Sequence, residues 1–436
     1  MSKQIEVGIE SMAVHIPRHF VDLGTLARAN NVDPDKYYIG LGVKRMAILA
    51  PDEDPVTMAV EACRALLEKS DVDPAKIGLL MVGTESGVDG AKPIASYVHG
   101  LLGLSGNCRT FDTKHACYSG TAALRMAADW CSVHANQDRN RALVITTDIA
   151  RYLVGSSGEP TQGAGAVAFF VSDEPHALIL DSQPEAVFTR EVMDFWRPHY
   201  RDAAVVDGRT SIDSYLLALE HTYSSYKENS KMGWDDFDYL LFHVPFPKMA
   251  YKAFRLLYER EFLHGQGCKA LPLSREYEIR TKPGLWPNVE LGNIYSGSLY
   301  LSLAGLLERE VDRVEGKRVG LFSYGSGSCA EFFSGRIGSD SSKWRDKIGI
   351  SAGLQGRIEL SHDQYIGFRQ TSKQRASEGS YCHDFLPRSN GNGRKVSFCG
   401  IRDHHRVYAI SKEKSPQPSP SFNLNQQVSS RPERRP

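Results

Sequence analysis

An α/β fold built from a duplicated unit is what this chain of 436 residues predicts, and two patterns carry that expectation. Short apolar runs alternate with amphipathic helical stretches from Glu6 to about Asp340, as layered α/β domains require. Three sequence pairs also recur in the same order at similar spacings. GLLMVGTE (78–85) and DYLLFHVP (238–245) stand 160 residues apart, and ACYSGTAAL (116–124) and NIYSGSLYL (293–301) stand 177 apart. GAGAVAFFVS (163–172) and GSGSCAEFFS (325–334), 162 apart, match at five of ten positions. One such match would be chance, but three in register indicate duplication. The expected organisation is an N-terminal half over 1–173, a C-terminal half over 174–411 and a tail over 412–436.

The elements follow in order. IGLLMVG (77–83), ALVITT (142–147), DYLLFHV (238–244) and RVGLFSY (318–324) are apolar on both faces and short, which predicts buried strands. RTFDT (109–113) is also strand-like. AALRMAADWCSVHA (122–135) and SLYLSLAGLLERE (298–310) each carry one apolar helical face. The polar, Gly/Ser-rich stretch from Thr371 to Gly393 predicts no regular element. The tail from Lys412 holds five prolines and almost no apolar periodicity, so disorder is expected there.

Composition narrows the function. Lys+Arg and Asp+Glu are both 52, which argues against a generally basic nucleic-acid binder. The eight cysteines, at 63, 108, 117, 131, 268, 329, 382 and 399, form no CxxC pair. That is too sparse for a disulfide scaffold, and no zinc-ligand spacing occurs. Charges interrupt the N-terminus early, and no run of about 18 apolar residues is present. The expectation is a soluble cytoplasmic protein with reduced thiols, no membrane span and no metal.

The repeat would place equivalent loops around one centre, bringing Glu85, Cys117, His243 and Asn293 together. Cys117 stands between a strand-like segment and a helix start, where the helix dipole favours the thiolate. A small buried hydrophobe is its alternative reading, and Cys63, Cys131 and Cys329 keep that reading. Glu85 ends a buried strand, where partial desolvation suits a general base; a loop carboxylate is the alternative. His243 ends another strand before two prolines, placed as an acid or hydrogen-bond donor to a substrate oxygen; a satisfied core histidine is the alternative. His115 stands near Cys117, though its turn need not aim it at the sulfur. Lys248 and Lys252 lie four apart, on a phosphate-facing or merely solvated helix face. Gly163-x-Gly165-x-x-Ala168 and Gly325-x-Gly327-x-x-Ala330 fit a loose dinucleotide fingerprint, but strand-like residues follow both, which argues against that ligand. Such glycine turns can instead present N–H groups to an oxyanion. A thiol with a separate carboxylate base suggests acyl transfer followed by carbon–carbon bond formation.

Seven motifs carry a specific resemblance: TESGVD (84–89), KHACYSGTA (114–122), GEPTQGAGAVA (158–168), DFWRP (194–198), FHVPFPKM (242–249), GNIYSGSLYLSL (292–303) and SYGSGS (323–328). They resemble the hydroxymethylglutaryl-CoA synthase family, nearest its bacterial mevalonate-pathway type, densely over 4–340 and more weakly to 410. The resemblance implies a thiolase-like fold of two αβαβα halves forming a five-layered core, as a homodimer. It implies Cys117 as the acetylated nucleophile, Glu85 as the base and His243 as the group acting on the ketone oxygen. Tyr152, Thr161, Ser211, Lys248, Lys252, Asn293 and Ser326 would bind substrate. Acetyl-CoA and acetoacetyl-CoA would be substrates, with no cofactor. One departure opens a second reading. His115-Ala116-Cys117-Tyr118-Ser119-Gly120-Thr121 resembles polyketide β-branching members, which act on acyl carrier protein thioesters. A third reading is a non-catalytic thiolase-fold binding protein.

Overall fold

The computed structural model describes residues 5–182, 186–262, 271–376, 380–382 and 396–410. Ten strands form the main sheet: β1 (Gly8–His15), β2 (Ile77–Gly83), β3 (Arg109–Thr113), β4 (Arg141–Ile149), β5 (Ala164–Ser172), β6 (Leu178–Leu180), β7 (Val187–Thr189), β8 (Tyr239–Phe242), β9 (Arg318–Gly325) and β10 (Cys329–Arg336). Their order is β8-β9-β10-β6-β1-β5-β4-β2-β3, with β7 beside β10.

The duplication is visible in strand direction. Outward from the central β1–β6 pair, β1–β5 and β5–β4 are antiparallel, and β4–β2 and β2–β3 are parallel. On the other side β6–β10 and β10–β9 are antiparallel and β9–β8 is parallel. Among the described residues, no strand continues beyond β8 as the partner of β3.

Seven of the helices build the core and position the site: α1 (Pro55–Glu68), α2 (Ile94–Leu102), α3 (Ser119–His134), α4 (Gly208–Ser230), α5 (Pro247–Phe262), α6 (Ser298–Arg309) and α7 (His362–Ala376). Strand side chains alternate between faces, and this alternation sorts the core. Leu79 and Met81 of β2 pack with α3 and α6, whereas Leu80 and Val82 pack with α1 and α2. Likewise Val319 and Leu321 of β9 meet α3 and α6, whereas Phe322 and Tyr324 meet α4 and α5. Helices α3 and α6 therefore lie between the two halves of the sheet, with helices outside each half. These are the five layers expected.

Differences from the sequence reading are local. β8 stops at Phe242, so His243 lies just past the strand, held by its N–H to Phe322 O at 2.7 Å. Part of the 371–393 stretch is ordered, as the end of α7 and a short strand, Tyr381–Cys382, on a hairpin of Val396–Arg402 and His405–Ile410. The tail expected to be disordered lies outside the described residues. Both glycine motifs lead into strands, β5 and β10. They are not equivalent turns: Gly163 closes a long loop by accepting from Ala150 N–H at 2.9 Å, whereas Gly325 ends β9 at a tight hairpin.

Candidate active site

One cavity of about 280 Å³ opens where the ends of the two halves meet. Cys117, Tyr152, Thr161, Ser211, His243, Asn293 and Ser326 all line it. Cys117 reaches it from the turn before α3. Ala116 there has φ +41°, a left-handed conformation costly for a non-glycine residue. The start of α3 packs directly on the end of β2: a Cβ at Gly83 would lie 2.6 Å from the Gly120 Cα. That contact brings Cys117 Sγ to 3.5 Å from Glu85 Oε1, to which it donates.

The site is electrostatically divided. Glu85 is pushed up to about 8, mainly by desolvation and then by the neighbouring Asp148 carboxylate, with Arg197 opposing. Arg197 donates to the Glu85 carbonyl oxygen. Asp148, at the end of β4, is buried; its Oδ1 accepts from Glu85 N–H and Thr84 Oγ1, both at 3.0 Å, and its Oδ2 accepts from Ser296 Oγ. Ser296 Oγ also lies 2.9 Å from Gly83 O, so this knot joins the two halves.

One expectation is corrected. The helix start was expected to favour the Cys117 thiolate, but the thiol is pushed well up, first by burial and then by Glu85 and Asp148. The physical reason is geometric. Ser119, Thr121 and Ala122 N–H groups, which would carry the dipole's positive end, are spent on Ala116 and Tyr118 carbonyls. Two carboxylates stand close by instead. Cys117 is therefore held as a neutral thiol beside Glu85.

The opposite wall is neutral. His243 is pushed down to about 3 by burial, so its ring is uncharged at ordinary pH and can donate from one nitrogen only. Tyr215 Oη donates to the His243 carbonyl at 2.7 Å. Asn293 Oδ1 accepts from Tyr295 N–H at 2.8 Å and Ser298 Oγ at 2.9 Å, which leaves Nδ2 to donate to a ligand. Cys117, Tyr152 and Tyr295 pack in one apolar cluster beside Phe195.

Three predicted residues do not line the cavity. Glu85 contacts Cys117 without lining the cavity itself. Lys248 is exposed at the start of α5, with Nζ 4.9 Å from the Tyr251 ring centre, and Lys252 is half-buried one turn on. His115 meets the Ser326 backbone rather than the sulfur. Sequence reasoning missed Asp148, Arg197, Tyr215 and Tyr295. Arg197 and Tyr295 stood inside quoted motifs, DFWRP and YSG; Asp148 carried no signal beyond ending a strand. Among the described residues, no group of three or more His, Cys, Asp or Glu could hold a metal ion, and no helix is long and apolar enough to cross a membrane.

Comparison with known proteins agrees with this geometry. Residues 3–176 match the model for the hydroxymethylglutaryl-coenzyme A synthase N terminal region, and 178–271 and 269–385 match its C terminal counterpart. The chain is 37% identical to the hydroxymethylglutaryl-CoA synthase of Enterococcus faecalis, over 82% of this chain and 90% of that one. It is 34% identical to the polyketide biosynthesis 3-hydroxy-3-methylglutaryl-ACP synthase PksG of Bacillus subtilis, over 83% and 87%. Among solved structures it is similar to MvaS in complex with 3-hydroxy-3-methylglutaryl coenzyme A, at TM-score 0.83 and 40% identity, covering 93% of this chain and 99% of that one.

Proposed function

The chain belongs to the hydroxymethylglutaryl-CoA synthase family, and we propose that it condenses acetyl-CoA with acetoacetyl-CoA and water through an acetyl-Cys117 intermediate. The observation that carries this reading is the Cys117–Glu85 contact at 3.5 Å on a cavity shared with a neutral His243. Glu85, as carboxylate, accepts the thiol proton, the sulfur attacks the acetyl thioester, and Glu85 passes that proton to the departing CoA thiolate, which leaves as the thiol. Glu85 then removes a proton from the acetyl methyl group. The resulting carbon nucleophile attacks the ketone of acetoacetyl-CoA. His243 and Asn293 donate to the oxygen on which charge develops. Water releases the product carboxylate and restores the thiol. No step transfers electrons to or from an external acceptor, so the chemistry asks for no redox group.

Free CoA thioesters are the preferred substrates. The Ser119-Gly120 departure lies in packing rather than in substrate contact. Neither residue lines the cavity, and a Cβ at Gly120 would meet Thr146 Cγ2 at 2.6 Å and Ser296 O at 2.7 Å. Lys248 and Lys252 remain candidates for phosphate contacts at the cavity's entrance. The working unit in this proposal is a cytoplasmic homodimer. In its support, β3 is an edge strand, and no strand of the described residues pairs with its outer side. Light scattering tests that assembly.

The substrate test is a competition read by mass spectrometry. One reaction supplies acetyl-CoA and acetoacetyl-CoA, the other acetyl- and acetoacetyl-carrier protein. Product on CoA is expected. Product only on the carrier would move the chain to the polyketide type, and no acetyl adduct on Cys117 in either would overturn catalysis.

A further inference from the structure

The loop between β4 and β5 brings Tyr152 and Thr161 to the cavity, and its backbone is held from far away in the chain. The Tyr152 N–H donates to Gln162 Oε1 at 2.8 Å. The Tyr152 carbonyl accepts from Arg369 Nη2 at 2.6 Å. Arg369 Nη1 donates to the same Gln162 Oε1 at 2.6 Å and lies 3.0 Å from Tyr365 Oη. Both backbone polar groups of Tyr152 are thus held by one Gln162–Arg369 pair. Tyr365, which is 1% exposed, completes the brace. Its hydroxyl accepts from Gln162 Nε2 at 2.9 Å and donates to the fully buried Glu159 at 2.8 Å. Arg369 and Tyr365 lie one turn apart on α7, in the C-terminal region.

We infer that Arg369, with Tyr365, is a positioning residue that sets the acetyl side of the cavity by fixing Tyr152 beside Cys117. Three features support a positional role over mere cohesion. The guanidinium uses its planar fork on two acceptors at once, which a lysine cannot reproduce. The fork acts on the backbone of a cavity-lining residue. The buried Glu159 accepts from the Tyr365 hydroxyl, which ties the brace to the same loop at a second point. A shift of about 1 Å in a positioned group can cost on the order of 10²-fold in rate.

The inference rests on the acetyl-Cys117 reading, and the test separates the two. Acetylation of Cys117 by acetyl-CoA is timed by mass spectrometry in the intact wild-type chain, in Arg369→Lys, Arg369→Gln and Tyr365→Phe, beside steady-state condensation and thermal midpoints. Expected for Arg369→Gln is a fall in acetylation rate and in kcat of about 10- to 100-fold, with the KM for acetoacetyl-CoA unchanged. Arg369→Lys is expected to remain impaired despite keeping the charge, and Tyr365→Phe to show a smaller fall in the same sense. Partial restoration of Arg369→Gln by added guanidinium at sub-denaturing concentration is the further expected sign. Wild-type rates in folded Arg369→Gln, or losses that merely track the unfolded fraction in all three variants, would overturn the brace. Failure of the wild type to acetylate would overturn the proposed function instead.

Discussion

At the ends of β2 and β4 and in the turn before α3 the first half of the molecule presents two carboxylates and a thiol: Glu85, Asp148 and Cys117. At the corresponding end of β8 and the start of α6, the second half presents a neutral imidazole and an amide, His243 and Asn293. The backbone arrangement repeats the order of two antiparallel pairs followed by a parallel one, although among the described residues the second half has no counterpart of β3. The difference lies in what surrounds each end. In the first half, burial places two carboxylates against each other and against a thiol, so protons are shared and movable. In the second half, burial acts on an isolated imidazole and removes its charge. Duplication therefore supplied two similar platforms, and local electrostatics divided the labour. In the proposed mechanism one side forms bonds and moves protons, and the other polarises and orients.

The sharpest way to break that division is Cys117→Ala. It is expected to abolish both the acetyl adduct and condensation, and an acetyl adduct of the intact mutant would refute the assignment. Next in size is Glu85→Gln, expected to lower condensation by roughly 10²- to 10⁴-fold, while Cys117 still acetylates, more slowly, under excess acetyl-CoA. Condensation at the wild-type rate would remove Glu85 as the base. His243→Ala probes the other half. Condensation is expected to fall about 10²-fold with acetylation near the wild-type rate; equal losses in the two steps would show that the halves do not divide the work.

A smaller effect concerns pH. In the proposed mechanism Glu85 acts as a carboxylate, so acetylation is expected to rise with pH through about 8. His243, held near 3, adds no limb in that range. Asp148→Asn removes the like charge that raises Glu85 and should shift the rise to lower pH; an unmoved midpoint would dissociate the two carboxylates. The smallest effect is on stability. The folded chain holds a proton on Glu85 that the unfolded chain sheds above about 4.5, so stability conferred by that proton is present at low pH and lost as pH rises through about 8. Glu85→Gln should therefore raise the thermal midpoint more at pH 8 than at pH 5, read by calorimetry.

The sequence by itself determined the layers, the duplication and the convergence of Cys117, Glu85, His243 and Asn293. Strand and helix periodicity are local properties, and a repeat is written along the chain. Strands such as 77–83 and helices such as 298–309 matched their apolar patterns closely, because both are buried and their patterns serve no other purpose. Only the tertiary structure decided the protonation states. The helix start that should have favoured a thiolate is overruled by burial and then by Glu85 and Asp148, which meet from 63 residues apart. Likewise Arg369 reaches Tyr152 across 217 residues, with no local pattern to announce it. Desolvation and charge pairing depend on which groups meet in space, and those distances are set by packing the two halves together. The residues that meet at the cavity were therefore legible, whereas their protonation states and the residues that hold them in place came only with the fold.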